Sequence, residues 1–209
     1  SASDYHDVTI ASGATLELTG DITVSGNWVN NGTFTAGTHL VTFDGSSAQS
    51  LINNSYATFG NNTFYDLEIY NSNNEISVVS NINSISISNH LYLHLGNINL
   101  GTNDLLFSSH QASVSNSSNS SHTYNGKVVY TSSQNPFTYP CGDGTNYRPI
   151  TVIGNGMPTS VAYLFANQNQ NSLNSSLSSI ETYGWEVQDY DVLLASANIT
   201  IPFDASYGI

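Results

Sequence analysis

The 209-residue sequence has almost no basic side chains. Its 15 acidic residues face only two basic ones, Lys127 and Arg148, and the formal net charge at pH 7 is −13. We expect no nucleic-acid partner, because neutralising phosphates requires clustered cations. Anionic membrane surfaces are disfavoured for the same reason. We interpret the acidity as a source of solubility and self-repulsion on an exposed surface.

Cysteine and long apolar runs are scarce as well. Cys141 is the only cysteine, so no disulfide can form within the chain, and its neighbours Pro140 and Gly142 indicate a packed thiol in a turn. No stretch approaches the ~20 apolar residues of a membrane span, so we expect none. No signal peptide precedes Ser1 and no terminal element is evident at Ile209, so we expect a processed or partial chain.

What the sequence does contain is a recurring pattern of short apolar alternations. In the stretch 26–45, GNWVNNGTFTAGTHLVTFDG, the large apolar residues Trp28, Phe34, Val41 and Phe43 are separated by Gly, Asn and Thr. This pattern predicts short strands and tight turns instead of an amphipathic helix. Similar units on both sides are each too small to bury an apolar face alone. They predict a β-solenoid of about five turns, each of roughly 15 to 25 residues.

The alternation also predicts which side chains face the core. In Ser84–Ser88, SISIS, isoleucines and serines alternate strictly, and in His90–Leu95 the leucines do the same. We expect Val41, Phe43, Ile85 and Ile87 to point inward. The predicted strands of this region are 8–10, 16–18, 22–24, 48–52, 64–69, 76–79, 82–87, 91–95, 98–100 and 105–107.

The second part of the chain differs from the first in composition and in the length of its predicted strands. Residues 108–121, SSHQASVSNSSNSS, predict a loop or linker. Beyond it, strands are predicted at 127–131, 147–153, 160–165, 184–187 and 198–203, with a polar insertion at 167–179. The predicted fold is therefore all-β: a parallel β-solenoid (β-helix) repeat domain over residues 1–122, followed by a β-sandwich-like domain over 123–209 that is incomplete at its C-terminus.

An enzyme that cleaves polysaccharides would need a basic catalytic residue or clustered acids. Lys and Arg are absent from residues 1–126, and Asp66 and Glu68 are the only acidic pair at a same-face strand spacing in the solenoid. We interpret that pair as a solvated edge. We predict no catalytic residue and no enzymatic activity.

Two groups of residues bear on metal binding. His90 and His94 are four apart, but on a strand this spacing separates them by about 13 Å, so a shared metal is not expected. Residues 143–146, DGTN, together with Asp189 and Asp191, offer oxygens suited to Ca²⁺, although an ordinary turn is the better interpretation. We predict no metal site and no cofactor.

Binding functions need less than catalysis does. Ice binding would require a flat, repeated array of threonines. Thr33-Phe34-Thr35 is the only Thr-x-Thr sequence in the chain, so support for ice binding is weak. Exposed aromatic side chains on a rigid scaffold suit carbohydrate or surface adhesion, with packing or capping of turns as the alternative role. The candidates are Tyr56, Tyr65, Tyr70 and Tyr92.

The amino-acid sequence of the repeats resembles that of a known group of proteins. The phrases GNWVNNGTFTAG, VTFDGSSAQ and FYDLEI are similar to repeat regions of large secreted and cell-surface proteins of Bacteroidetes, which use the type 9 secretion system. FTYPCGDGTNYRPITV and SSIETYGWEV resemble the β-rich module that often follows such repeats. The resemblance covers most of residues 8–203. A recognisable sorting domain and a lipoprotein signal are both lacking.

The resemblance implies a compartment and a class of protein, namely extracellular adhesins and gliding motility proteins, and supplies no catalytic residue. We expect a non-enzymatic stalk or adhesin passenger, with the secretion machinery as partner during protein transport and surface glycans as ligands. One alternative is a carbohydrate-binding or polysaccharide-active β-helix. Another is an export substrate captured by the secretion machinery.

Overall fold

The computed structural model describes residues 2–54, 63–80, 84–132, 136–154, 159–167, 183–189 and 197–200. Within these ranges the regular elements are all strands, which confirms the predicted all-β class. The same ranges contain no helix with the length and apolar character needed to cross a membrane.

The first fourteen strands form the solenoid and the last five extend beyond it. In chain order the solenoid strands are β1 (Ser3–Tyr5), β2 (Val8–Ile10), β3 (Thr15–Glu17), β4 (Ile22–Val24), β5 (Trp28–Asn30), β6 (Thr33–Thr35), β7 (Leu40–Phe43), β8 (Gln49–Asn53), β9 (Thr63–Ser80), β10 (Ser84–Asn99), β11 (Asp104–Phe107), β12 (Ser113–Ser115), β13 (Thr123–Tyr124) and β14 (Lys127–Ser132). The remaining strands are β15 (Phe137–Tyr139), β16 (Ile150–Gly154), β17 (Thr159–Asn167), β18 (Tyr183–Asp189) and β19 (Ala197–Thr200).

The solenoid strands stack into three parallel ladders. The first ladder contains β1, β4, β7, β9, β10 and β12. The second contains β2, β5, β8, β9, β10 and β13. The third contains β3, β6, β9, β10, β11 and β14. Because the chain visits the ladders in the same order on every turn, the architecture is the predicted parallel β-solenoid of about five turns.

The length of a turn varies along the solenoid. Thr23 donates a hydrogen bond to Asp4, its neighbour one turn earlier and 19 positions away. Thr42 donates one to Glu68, its neighbour one turn later and 26 positions away. Across the three ladders the spacing between paired residues runs from 18, at Leu16 and Phe34, to 28, at Thr35 and Thr63, which exceeds the predicted range of 15 to 25. Extra residues are tolerated between ladders because a flexible loop adds little closure entropy as it lengthens.

The core follows from the alternation within each strand. Val41, Phe43, Ile85 and Ile87 are each at most 2% exposed, which confirms that they point inward. In the parallel register, an apolar residue of one turn is paired with an apolar residue of the next, as Phe43 is with Ile69. A continuous apolar column therefore fills the solenoid, although no single turn could bury its own face.

Three aromatic rings pack together in the core where the second and third ladders meet. Trp28 meets Phe34 edge-on with ring centroids 4.8 Å apart, and Phe34 lies 5.2 Å from Phe64. These three side chains come from strands β5, β6 and β9 and are almost fully buried. Edge-to-face contacts of this kind add to the free energy gained by burying the rings.

A buried amide connects three successive turns. Gln49 is 1% exposed, and its amide nitrogen donates to the carbonyl oxygens of Val24 and Gly26 at 2.8 and 2.5 Å. Its side-chain oxygen accepts hydrogen bonds from the Gly45 amide at 3.0 Å and from Asn71 at 2.8 Å. A buried polar group costs little free energy when its hydrogen bonds are satisfied in this way.

Glycine is required where neighbouring turns touch at a corner. A Cβ atom at Gly32 would lie 2.3 Å from the carbonyl oxygen of Ala14 and 2.4 Å from that of Ala11. Both obstacles are backbone atoms, which cannot move aside without displacing the adjacent turn. The Asn-Gly pair in the repeat phrase therefore reflects close backbone contact between turns.

Residues 108–121, predicted to be a loop or linker, form a loop with one short strand inside the solenoid, so the linker alternative is wrong. Ser113, Val114 and Ser115 form β12, which pairs in parallel with β10, and Val114 packs against the core. One aliphatic side chain is enough for this strand because its register places Val114 over the buried Leu91. The serine-rich composition therefore belongs to an ordinary, polar turn of the solenoid.

Parallel pairing continues past residue 122 and then changes direction. β14 pairs in parallel with β11 and antiparallel with β17, which pairs antiparallel with β18. β15, β16 and β19 form a separate antiparallel sheet. The solenoid ladders thus extend as far as Ser132. Most of the predicted insertion at 167–179 and residues 201–203 of the last predicted strand lie outside the described residues.

Candidate binding face

The outer side of the first ladder carries a row of rings. Along β10, His90, Tyr92 and His94 point outward and alternate with the buried Leu91 and Leu93. Side chains two residues apart on a strand lie on the same face, so the row runs for about 13 Å. The alternation of leucines, which predicted the strand, also places these three rings on one surface.

Strand register brings side chains of three turns onto this surface. Asp66 of β9 is paired with His90, and Glu68 is paired with Tyr92. On the opposite side β12 pairs Ser113 with His90. We call the resulting surface the ring face. It comprises Asp66, Glu68, Tyr70, His90, Tyr92, His94, Ser113 and Ser115.

The rings of this surface are regularly arranged. The planes of Tyr92 and His94 are within 3° of parallel, with centroids 6.3 Å apart. His90 lies 4.1 Å from Tyr92 on the other side. Tyr70, which is 55% exposed, extends the row with its centroid 6.0 Å from His94. Four rings therefore follow one another along one surface of the sheet, an arrangement suited to extended ligands.

Two carboxylates border the rings. Glu68 accepts a hydrogen bond from the Thr42 hydroxyl at 2.7 Å, and one of its oxygens lies 3.1 Å from Nε2 of His94. Asp66 accepts a hydrogen bond from the side-chain amide of Asn89 at 2.7 Å. These contacts hold both carboxylates beside the rings, where they give the ring face negative charge.

The imidazole of His90 is held by two hydroxyl groups. Its Nδ1 lies 2.6 Å from Ser113 Oγ and its Nε2 lies 2.9 Å from Ser115 Oγ. Desolvation lowers the pKa of His90, although nearby Asp66 opposes the shift. Desolvation raises the pKa of Tyr92, and the two carboxylates add to the effect. Both rings are therefore uncharged at neutral pH.

The structure brings the acidic pair and the histidine pair discussed from sequence onto one surface. Asp66 and Glu68 are adjacent in register to His90 and Tyr92, and His90 and His94 lie on either side of Tyr92. Among the described residues, no group of three or more His, Cys, Asp or Glu side chains could hold a metal ion. The surface is therefore described as a binding face instead of a metal centre.

The four candidate tyrosines differ in where they lie in the structure. Tyr70 and Tyr92 belong to the ring face, whereas Tyr65 is partly buried and packs against the core. Tyr56 lies outside the described residues. Spacing alone could not distinguish Tyr65 from Tyr70, because both lie on β9 and only the packing of the turns shows which of them contacts the core.

The Asp143–Asn146 stretch is a tight turn whose carboxylate is already engaged. Asp143 accepts hydrogen bonds from the amides of Thr145 and Asn146 at 2.9 and 2.7 Å, and from Nε of Arg148 at 2.9 Å. Although burial opposes the shift, these donors lower the pKa of Asp143 to about 2. The turn agrees with the preferred interpretation. Asp191 lies outside the described residues, as does the side chain of Asp189.

One cluster was not anticipated from sequence. Tyr124 donates a 2.5 Å hydrogen bond to Glu75, which also accepts one from Ser77 at 2.8 Å. Hydrogen bonding lowers the pKa of Glu75, with that from Tyr124 the largest contribution. Burial and the adjacent Glu75 raise the pKa of Tyr124. The two residues are 49 positions apart, so only the stacking of turns brings them together. The cluster fastens β13 to β9.

Cys141 and His122 are packed side chains beside this cluster. Cys141 is 2% exposed, and burial raises the pKa of its thiol, as expected of a packed cysteine. His122 is fully buried, with Nδ1 3.1 Å from the Ser118 carbonyl oxygen. Desolvation lowers the pKa of His122. Both groups belong to the interior and not to an accessible site.

Comparisons of the chain with protein-family models, with curated proteins and with solved structures found no match.

Proposed function

We propose that this chain is a non-enzymatic, exported cell-surface protein that serves as a stalk or adhesin passenger of the type 9 secretion system. The observation that supports the proposal is the solenoid itself, in which three parallel ladders surround one continuous core. Such a scaffold projects side chains at fixed spacing and gives rigidity without any active site. The resemblance of the repeat phrases to secreted Bacteroidetes proteins supplies the compartment.

The surface composition is compatible with a life outside the cell. Residues 1–126 contain no Lys or Arg, so proteases that cleave after basic residues find no site in most of the solenoid. The net charge of −13 favours solubility and opposes self-association. We further propose that the antiparallel strands after Ser132 belong to the predicted β-sandwich-like module. The switch from parallel to antiparallel pairing supports this proposal.

The location is tested on intact cells. An antibody against the solenoid is applied to unpermeabilised producing cells, with and without a functional type 9 system. Surface labelling that disappears when the system is inactivated is the expected result. Labelling that requires permeabilisation in both strains would refute export, and unchanged surface labelling in the mutant would refute the type 9 route.

A second candidate function is carbohydrate binding. The ring face favours it because four rings and two serine hydroxyls lie together on a flat, partly exposed surface. Aromatic rings with nearby hydrogen-bonding groups are the usual means of holding a sugar.

A glycan array with and without Ca²⁺, monitored for release of reducing sugar, separates the possibilities. Binding without turnover supports an adhesin. Sugar release would overturn the non-enzymatic assignment and direct attention to Asp66 and Glu68. If neither binding nor turnover is seen, carbohydrate recognition is refuted and the stalk role remains.

A further inference from the structure

The ring face carries two carboxylates and neither lysine nor arginine, although the imidazole of His94 has its Nε2 3.1 Å from Glu68. Its two carboxylates, Asp66 and Glu68, are part of a region that has no Lys or Arg before residue 127. Of the two basic residues, Arg148 is buried and paired with Asp143, with Nε and Oδ2 2.9 Å apart. Lys127 lies on the third ladder, in register with Asp104. A ligand that complements the ring face must therefore bring its own positive charge.

The rings restrict what form that charge can take. Tyr92 and His90 are neutral aromatic surfaces beside the carboxylates, and Tyr70 is exposed at the end of the row. The face of a tyrosine ring attracts ammonium groups through cation–π contact, and it also packs against the apolar side of a sugar ring. A ligand with both features would use the carboxylates and the rings at once.

We propose that the ring face binds a linear polysaccharide whose sugars carry free amino groups, of the β-1,4-linked glucosamine type. This inference rests on the carbohydrate-binding candidate described above and names its ligand class. The ammonium groups contact Asp66 and Glu68, which lie about 6.6–6.8 Å apart along β9. The sugar rings lie along the row of His90, Tyr92 and His94, whose length of about 13 Å suits a short stretch of an extended polymer.

Hydroxyl groups on the face favour a sugar over a basic peptide. Ser113 and Ser115 flank His90, and Thr42 flanks Glu68, so hydrogen-bonding groups border the rings on both sides. The carboxylates and the rings lie on β9 and β10, and each of these two strands is paired on both edges there. An extended peptide that recognises its partner by adding a strand would therefore find no open edge on either of them.

The test compares three hexasaccharides that differ only at C2 of each sugar. These are β-1,4-linked glucosamine, its N-acetylated form and the corresponding glucan, which carry an ammonium, an acetamide and a hydroxyl group. Titration calorimetry with the whole chain should show binding of the glucosamine hexamer at least about tenfold tighter than that of the other two. The preference should shrink as salt is raised, because part-exposed charge pairs are screened.

Variants locate the site. Glu68→Gln and Asp66→Asn should each weaken binding of the glucosamine hexamer by about two- to fivefold, the effect of one part-exposed ion pair. Glu17→Gln, an exposed acid on the third ladder, is the matched control and should change nothing. Equal loss in the control variant would overturn the assignment to the ring face.

The outcomes distinguish this inference from the candidate function beneath it. Equal binding of all three hexamers, abolished by Tyr92→Ala, would refute the amine requirement but support neutral glycan binding. No binding of any hexamer would refute the inference and count against carbohydrate recognition by this face. A tetra-arginine peptide that binds the ring face more tightly than the glucosamine hexamer would replace the polysaccharide by a basic peptide.

Discussion

Replacement of Phe43 by alanine tests the solenoid core directly. Phe43 has no exposed surface, and it lies in the first ladder between Val24 of the preceding turn and Ile69 of the following one. Removing a fully buried phenyl ring costs about 3–5 kcal/mol, since both the transfer free energy and the contacts around the resulting cavity are lost. Neighbouring turns pack from both sides, so the cavity cannot close by moving one loop.

The loss is measured by urea unfolding followed by circular dichroism. With a slope of about 1–3 kcal/mol per molar urea, the midpoint should fall by about 1 M or more. Tyr70→Ala is the control, because a half-exposed side chain outside the core should change the free energy of unfolding by only about 0.5 kcal/mol. Phe43→Asp should prevent the region from folding, since an unpaired charge would be buried.

The reasoning fails if Phe43→Asp is soluble with an unchanged spectrum, or if Phe43→Ala unfolds at the same midpoint as Tyr70→Ala. Either result would mean that Phe43 does not lie in a shared core. Because each turn contacts only its neighbours, a broadened transition with a reduced slope is also informative: it would place the damage in the turns around β7 and leave the others folded.

Three further predictions use the same unfolding assay. Gly32→Ala should lower the free energy of unfolding by about 1–3 kcal/mol because the new methyl group meets backbone oxygens, whereas Gly20→Ala, where nothing lies within 4 Å, should not; equal effects would contradict the corner argument. Tyr124→Phe should cost about 1–3 kcal/mol and raise the pKa of Glu75 as measured by NMR, and an unmoved pKa would mean that the hydrogen bond is absent in solution. Folding lowers the pKa of His122. Its contribution to the free energy of unfolding is therefore present above about pH 6.5 and is lost as pH falls through the folded-state pKa. A urea midpoint that rises on acidification toward about pH 5 would refute its burial as a neutral group.

Local patterns in the sequence were sufficient to predict the solenoid. Alternation in 84–88 and 91–95 identifies strands and their inner faces because the side-chain period of a strand is two. The repeat of such units, each too small for a core, then requires stacking. The serine-rich stretch 108–121 was misread because composition suggested a linker, whereas the neighbouring turn supplies the apolar surface that Val114 needs.

The candidate site could be anticipated only in part. The spacing of His90 and His94 predicted that both lie on one strand face, but it could not show that Asp66 and Glu68 border the same row. Residues on adjacent turns are brought together by register, and register depends on turn lengths that vary from 18 to 28 residues. For the same reason the hydrogen bond between Glu75 and Tyr124 has no local signal.

The parallel ladders also determine how the protein responds to tension. Hydrogen bonds between turns run along the solenoid axis, so a force that separates its two ends loads the bonds of one terminal turn before those of the next. Each turn that detaches releases 18 to 28 residues, which extend to about 60–95 Å of chain. An anchored solenoid would therefore lengthen in discrete steps under load, and a cell held by it would be slowed gradually instead of being torn free at once.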